Sequence, residues 1–452
     1  MIKTFTLSTL LLGALTLSGQ TIPQKHIYQP KASVAHDTSK ADDDIEFGWD
    51  ASKWSPERMV ATDNIVLFWA PGFGDNITTA PNMMQIKENG DTVWHDMTVD
   101  MAHLLASLER FYKYYRDTLE FTHPGSKADE YKMMVMLDYS LEGTAYGGDY
   151  DSTIGALWIA PNRLKDPRLN CIAHELGHSF QSQITCDGQG EAWGGNGFFE
   201  MTSQWMLMQV NPDWMTDENY HLNAFRDNTH KAFQHIENIY HSPYVIEYWS
   251  QNHGKPFIAE LYRNGKRGED PAATYIRLTG MSQKEFNDDM WRASAHMINW
   301  DLDHIRPNAR PYANNWHTAI ERKGNKISVL PENAPEAYGF NAVEIENFTP
   351  GKKVRVDFRG EPNKKGFVTS RAKEAGWRYG FVASMADGSS RYSEIFDNPR
   401  GKAIFEVPEG TEHLWLVVMG APTVHKPYVF NPWEGDKPEP DAQFPWSATI
   451  LK

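Results

Sequence analysis

Leu169-Asn-Cys171-Ile-Ala-His174-Glu175-Leu-Gly-His178-Ser-Phe-Gln181-Ser182 is the stretch on which the reading of this chain turns. It spells His-Glu-x-x-His inside a run whose other residues, Leu169, Ile172, Ala173, Leu176, Gly177 and Phe180, make a helix apolar on most sides and therefore buried. At 3.6 residues per turn, positions four apart project in nearly the same direction, so His174 and His178 can offer their imidazoles to one metal ion. Glu175 lies about 100° further round and can reach a water on that ion. Two histidines and a glutamate buried together need a partner for their polar atoms, and a metal satisfies all three. The spacing predicts a zinc site with a general base beside it, the equipment of a zinc hydrolase.

A catalytic zinc takes three protein ligands and keeps one position for water. The metzincin extension of the motif needs Gly at 181 and His at 184, where this chain has Gln181 and Ile184, so a carboxylate further on is expected. Glu191 and Glu200 are the candidates. Glu191 sits in the glycine-rich run Gly188-Gln-Gly-Glu-Ala-Trp-Gly-Gly195, which reads as loop. Glu200 falls in the strongly apolar pattern Phe198 to Met208, where an unpaired carboxylate costs several kcal/mol. Glu200 is the expected third ligand and Glu191 the alternative, although a glutamate opening a helix is also favoured by the helix dipole without any metal. Gln204, one turn later, is spaced to hydrogen-bond a ligand. In the region that follows, Tyr220, His221, His230, His235, Tyr240, His241 and Tyr244 are the candidates for steadying an oxyanion.

Met1-Ile-Lys3 followed by the apolar run Phe5 to Leu17 and small residues at Ser18-Gly19 reads as a cleavable signal peptide over 1–20, with no cysteine near the cleavage point for a lipid anchor. A secreted or periplasmic setting follows, and no later stretch is apolar for the length of a membrane span. Lys+Arg 44 against Asp+Glu 59 gives a formal charge of −15, which argues against nucleic acid or an anionic membrane as partner. Cys171 and Cys186 flank the motif helix too far apart along it to bridge, and read as free thiols.

After a polar N-terminal arm (21–60), Asn64 to Ala70 reads as a strand and Asp100 to Leu119 as an amphipathic helix. Tyr131 to Leu137 and Ile154 to Ala160 read as two further strands, and Asp166-Pro167 as the N-cap and first turn of the motif helix. Helical spacing then runs through Phe198–Val210, Tyr220–Tyr240, Ser242–Asn252, Pro256–Asn264, Pro271–Leu278 and Ser282–Ile298, the last opened by the capping box Ser282-Gln-Lys-Glu285. Beyond the Pro/Asn cluster at Arg306–Pro311 and a connector (306–342), the period changes to two over Val354–Phe358, Tyr379–Ala383, Lys402–Val407 and His413–Val418. That predicts a C-terminal jelly-roll-like β-sandwich over 343–452, either an inert accessory domain or a glycan-binding one.

The order strand, long helix, two strands, motif helix resembles the upper subdomain of zincin metallopeptidases. The resemblance implies an α+β fold, with a catalytic domain over 61–305 whose upper part is 61–185 and whose lower, helical part is 186–305. It also implies that Ile154–Ala160 matches the edge strand along which an extended peptide pairs, an ordinary sheet strand being the alternative. With Glu200 as third ligand, His174, Glu175 and His178 resemble the gluzincin signature. The long spacing to the glutamate, the Gly in His-Glu-Leu-Gly-His and the signal peptide look like the enhancin and mucin-peptidase group, or an uncharacterised secreted relative for which no substrate is implied. The implied activity is hydrolysis of peptide bonds in proteins or glycoproteins, with Zn²⁺ as cofactor and Glu175 as general base. A non-catalytic zinc protein that grips glycan or protein through its β-sandwich is the competing reading.

Overall fold

The computed structural model describes residues 24–30, 47, 53–143, 145–190, 193, 197–428 and 440–452. The signal stretch 1–20, most of the arm 21–60 and Glu191 lie outside them.

Among the described residues, seven strands precede the motif helix: β1 (Met59–Ala61), β2 (Ile65–Trp69), β3 (Met83–Ile86), β4 (Thr92–His95), β5 (Met133–Leu137), β6 (Tyr146–Tyr150) and β7 (Ile154–Ile159). β3 and β4 form a separate hairpin, and the others make one sheet in the order β1-β2-β5-β7-β6. β2, β5 and β7 are parallel and buried, which explains their continuous apolar runs. β6 runs antiparallel to β7 with Gly147 opposite Leu157, and ends the sheet. Ile154–Ala160 is therefore an interior strand, and the edge expected there belongs to Tyr146–Tyr150. Its Gly147-Gly148 pair carries little strand propensity, so the sequence does not reveal it. The glycine has a packing reason: a Cβ at 147 would stand 1.8 Å from the carbonyl oxygen of Glu175.

Helix α1 (Met101–Asp117), capped by Asp100, buries Leu104, Leu108, Phe111, Tyr112 and Tyr115. Tyr112 and Tyr115 pack on Phe180, and the Tyr115 hydroxyl donates to Ala173 O at 2.9 Å, so α1 clasps the motif helix from behind. After the short α2 (Lys127–Glu130) comes the motif helix α3 (Asn170–Cys186). It starts later than expected. Leu169 turns the chain in a left-handed conformation (φ 55°), and Asp166 accepts from Asn170 N at 3.2 Å from outside the helix. Cys171 and Cys186, both free thiols, lie at opposite ends of α3, about 22 Å apart at 1.5 Å per residue.

The helical part comprises α4 (Phe198–Val210), α5 (Trp214–Asp217), α6 (Asn219–Asp227), α7 (Tyr244–His253), α8 (Phe257–Arg263), α9 (Pro271–Thr279), α10 (Gln283–Ile298) and α11 (Arg306–Ala309). The Ser282/Glu285 capping box forms at α10. The helix expected over Tyr220–Tyr240 stops at Asp227, because the next backbone groups bond elsewhere. Phe340 N donates to Thr229 O, Glu336 N to His230 O, and Phe233 N to Ala337 O. Pairing across the fold overrides the local helical pattern.

Among the described residues, nine strands follow: β8 (Ile320–Lys323), β9 (Lys326–Val329), β10 (Phe340–Glu344), β11 (Lys353–Gly360), β12 (Trp377–Met385), β13 (Ser390–Tyr392), β14 (Lys402–Glu406), β15 (Thr411–Gly420) and β16 (Trp446–Leu451). They make two sheets, β10-β15-β12-β13 and β14-β11-β16-β9-β8, antiparallel throughout. The stretch expected to be a connector thus supplies β8, β9 and the start of β10. Val354, Val356 and Phe358 of one sheet share a core with Tyr379, Phe381, Leu414, Leu416 and Val418 of the other. The alternate residues Val382, Trp415, Val417 and Met419 belong to the main core, where Trp291 of α10 donates to Val417 O at 3.2 Å. Both faces of β12 and β15 are covered, which is why these strands are apolar along nearly their whole length.

Candidate metal centre

The close approach of α3 and α4 decides the site. At Gly177 a Cβ would lie 2.8 Å from Ser203 Oγ, so the glycine there lets α4 come near with Ser203 undisturbed, and Glu200, in its first turn, reaches across α3. His174 Nε2, His178 Nε2 and Glu200 Oε2 then form a triangle in which every edge is 3.1 Å. A glutamine orients each imidazole from behind. His174 Nδ1 faces Gln204 Oε1 at 3.3 Å, and the Gln204 amide is fixed because its Nε2 donates to Tyr240 O at 2.8 Å. His178 Nδ1 faces Gln181 Oε1 at 3.0 Å, and Gln181 Nε2 donates to Phe199 O at 2.9 Å. Each Nδ1 can thus donate to its glutamine, an arrangement that frees both Nε2 atoms to act as metal ligands.

A proton placed among these three atoms satisfies only one edge of the triangle, whereas a cation at its centre satisfies all three. Burial alone pushes His178 down and Glu200 up, yet their mutual hydrogen bond and charge reverse both: His178 is raised and Glu200 is held well below the usual carboxylate range. Both directions describe a site that stabilises positive charge. Two neutral imidazoles and one carboxylate form the donor set of a catalytic zinc. Zinc bonds to nitrogen and oxygen run about 2.0–2.2 Å, so three donors at this spacing are close enough to be shared by one such ion.

Glu175 stands outside the triangle. Its Oε2 accepts from Gly147 N at 2.9 Å, tying the motif helix to the edge strand. A cavity of about 550 Å³ opens beside it, lined by Tyr146, Gly147, Gln181, Phe199 and Tyr240 as well as the triangle. A second lobe of about 410 Å³ shares His174, Glu175 and Tyr240 with the first and extends past Asn162, Arg163 and His221. The cleft thus has two lobes meeting at the triangle.

Of the seven candidates for oxyanion contact, Tyr240 is the one at the junction. Its ring lies 6.1 Å from that of His174, and its phenol is raised by burial and by its contact with Glu200. Tyr220 and His221 line the second lobe, and His241 Nδ1 lies 2.6 Å from His221 Nδ1. Tyr244 is buried against Phe225 and Trp300. His230 bonds Asn333, and His235 faces Asp441, at the junction with the C-terminal strands. Sequence reasoning missed two members of the site: Gly147, and Gln181 as the residue that orients His178. Gln181 follows His178 by three positions on a helix, and that spacing is the signal that was available.

A second trio, His235, Glu336 and Asp441, also draws together. Its histidine has no free lone pair to offer a metal between the carboxylates. His235 Nδ1 accepts from Glu237 N, so the proton sits on Nε2, which faces Asp441 at 3.8 Å, and Lys231 supplies a cation 3.8 Å from Glu336.

The fold and site define a mixed α+β chain with a His-Glu-x-x-His helix and a glutamate brought to it from the next helix. The chain belongs to the DUF6055 family, a family of unknown function, whose model matches residues 19–451. Comparison with curated proteins gives no match. Among solved structures the chain is similar to the ZmpB metallopeptidase from Clostridium perfringens, at 13% identity and TM-score 0.30, over 83% of this chain and 68% of that one. It is also similar to the M60 catalytic domain of Clostridium perfringens ZmpC in complex with the sialyl T antigen, at 14% identity and TM-score 0.29, over 82% and 68%. The likeness is too slight for anything about activity or substrate to follow from it. Among the described residues no helix is long and apolar enough to cross a membrane.

Proposed function

We propose that this chain is a secreted zinc-dependent metallopeptidase hydrolysing peptide bonds of proteins or glycoproteins, with His174, His178 and Glu200 holding the metal and Glu175 as general base. The observation that carries the reading is the 3.1 Å triangle of Nε2, Nε2 and Oε2, its imidazoles fixed by Gln204 and Gln181. When bound there, zinc supplies Lewis acidity and a water with a lowered pKa. Glu175, anchored through Oε2 by the Gly147 N–H, keeps Oε1 to take the proton of the attacking water and to return it to the leaving amine. Tyr240, kept protonated by burial and by the Glu200 charge, donates to the oxyanion. The edge of β6 beside the cleft suits an extended peptide that adds as a further strand. A metal kept only as a clasp needs neither an open cleft nor a general base beside it.

The test is zinc content by elemental analysis together with cleavage of casein and mucin. Wild type and Glu175→Gln should each carry about one zinc. The variant should lose about 10²–10⁴-fold in kcat. Zinc-loaded wild type that cleaves neither protein counts against the reading, as does full zinc content in Glu200→Ala.

A further inference from the structure

Four charged side chains line the second lobe of the cleft: Arg163, Asp166, Glu175 and Glu218. Arg163 reaches it from the end of a strand. β7 stops at Ile159, and Pro161 opens a single turn, Pro161–Leu164, that sets Arg163 on the wall of the lobe. Its Nε donates to Gly143 O, in the connection between β5 and β6, and this bond anchors the exposed guanidinium. Among the described residues, its two terminal nitrogens have no hydrogen-bond or ion-pair partner.

The three carboxylates are already engaged. Asp166 Oδ1 accepts from Arg168 N at 3.0 Å and its Oδ2 from Asn170 N at 3.2 Å. Glu218 Oε1 accepts from Asn170 Nδ2 at 3.0 Å, and its Oε2 accepts from the Tyr220 hydroxyl at 3.2 Å and from Trp214 Nε1 at 3.3 Å. Glu175 accepts from Gly147 N at 2.9 Å and keeps its other oxygen for the attacking water. The donors left unspent belong to Arg163, and a planar fork of N–H groups matches a carboxylate. The Arg163 charge also acts across the lobe. Burial first, then Glu175, pushes the Cys171 thiol up to about 11, and Arg163 opposes that rise. It likewise opposes the rise of the Tyr220 phenol that burial and Glu218 cause. Cys171 precedes His174 by three residues of α3, about 4.5 Å along the axis. Two residues of extended peptide span about 6.6 Å. Arg163 thus stands where it meets a group one or two positions from the bond under attack.

We infer that Arg163 is a specificity-determining residue that selects a carboxylate carried by the substrate within two residues of the scissile bond, on an acidic side chain or at the C-terminus. This rests on the peptidase reading, and the test separates the two. A proteome-derived peptide mixture is cleaved and the products are sequenced by mass spectrometry. Cuts made by wild type should be enriched about fivefold in Asp, Glu or a free C-terminus within two positions, the size of an ion pair in an open lobe. Arg163→Glu should lose that enrichment and favour Lys and Arg in its place. Wild type without the enrichment, or Arg163→Glu with the same enrichment, overturns the inference. Synthetic peptides ending in a free carboxylate or an amide identify the source. Equal cleavage of the two assigns the carboxylate to a side chain, a loss of about fivefold on amidation assigns it to the C-terminus, and both results uphold the inference.

Binding to the zinc-loaded Glu175→Gln form, followed by fluorescence anisotropy, needs no cleavage. The probes are fluorescein-labelled peptides that carry the preferred carboxylate or its amide counterpart, Glu against Gln or a free against an amidated C-terminus. The carboxylate form should bind about fivefold tighter, and adding Arg163→Glu should abolish the difference. That result supports the inference even if wild type cleaves nothing, in which case only the peptidase reading fails. Equal binding of both forms overturns it. Should Arg163→Glu melt below wild type, the salt dependence of the unaltered protein carries the comparison. Its acid preference should collapse between about 0.05 M and 0.5 M salt, because an open ion pair is screened, and a constant preference overturns the inference.

Discussion

An alanine at position 147 separates a catalytic edge strand from a merely structural one. Its Cβ would stand 1.8 Å from Glu175 O and 2.8 Å from His178 Cβ, where real Cβ atoms keep at least 3.0 Å. Neither obstacle is the end of a flexible chain: one is helix backbone and the other a β-carbon of the same helix. β6 must therefore retreat from α3 by about 1.2 Å, which stretches the 2.9 Å bond from Gly147 N to Glu175 Oε2 to about 4 Å and breaks it. Overpacking of this kind costs about 1–3 kcal/mol. The kinetic effect is larger. If the substrate lies along β6, a shift of about 1 Å in its seat relative to Glu175 costs about 10²-fold in kcat/KM. The proposed metal donors all stand on α3 and α4, so zinc content should stay near wild type. Elemental analysis, thermal melting and kcat/KM on casein measured on one preparation give the answer. Activity within twofold of wild type would refute the role given to β6, and zinc lost in step with activity would show that the strand supports the metal donors instead.

Replacing Gln181 or Gln204 by Leu removes an imidazole's orienting acceptor, so each variant should bind zinc about 10- to 100-fold more weakly in competition with a chromophoric chelator, and equal affinity would count against the assigned tautomers. Tyr240→Phe should keep its zinc and its KM while kcat falls about 10²–10³-fold, and a change confined to KM would remove Tyr240 from the chemistry. Burial pushes the Glu336 carboxyl up to about 7 despite the Ala232 N–H, with the Asp441 charge adding to the rise, against an ordinary value of 4.5. Between those values the folded chain holds a proton the unfolded chain has released, so this contribution to stability is full below about pH 4.5 and falls by about 3 kcal/mol as pH rises to about 7. Glu336→Gln should flatten that slope in melting curves taken across the window, and parallel curves would refute it.

The helices of the central region were legible because their spacing, caps and prolines agree, as at Ser282/Glu285 and Asp270-Pro271. The four residues of the candidate site were legible for a related reason: His174, Glu175 and His178 are fixed by one helical period, and Glu200 is a carboxylate in a run too apolar to keep it unpaired. Three features were not. Tyr146–Tyr150 does not look like a strand because α3 needs a glycine against it at 147, a requirement that lowers strand propensity. The run from Thr229 to Phe233 leaves the helix because the backbone partners of Thr229, His230 and Phe233 lie about 100 positions later, beyond any local window. Tyr240 could not be singled out among seven candidates until that departure from helix put its carbonyl on Gln204 and its phenol beside Glu200.

The same departure joins the C-terminal sheets to the cleft. Thr229 O, His230 O and Phe233 N are taken by Phe340, Glu336 and Ala337, and the Glu336 carboxylate accepts from Ala232 N at 2.7 Å. Gly339 fits against His230 only as glycine, since a Cβ there would lie 2.1 Å from His230 O. The run 229–234 is thus held by the strand-bearing part of the chain, and it leads directly to Tyr240, whose carbonyl fixes the Gln204 amide and through it His174. On the far side, α10 packs Trp291 against β12, where a Cβ at Gly380 would come within 2.8 Å of the indole. Sheets gripped at both places are no detachable appendage. They set the course of the segment that completes the site, and a contribution of that kind is backbone geometry that no motif records.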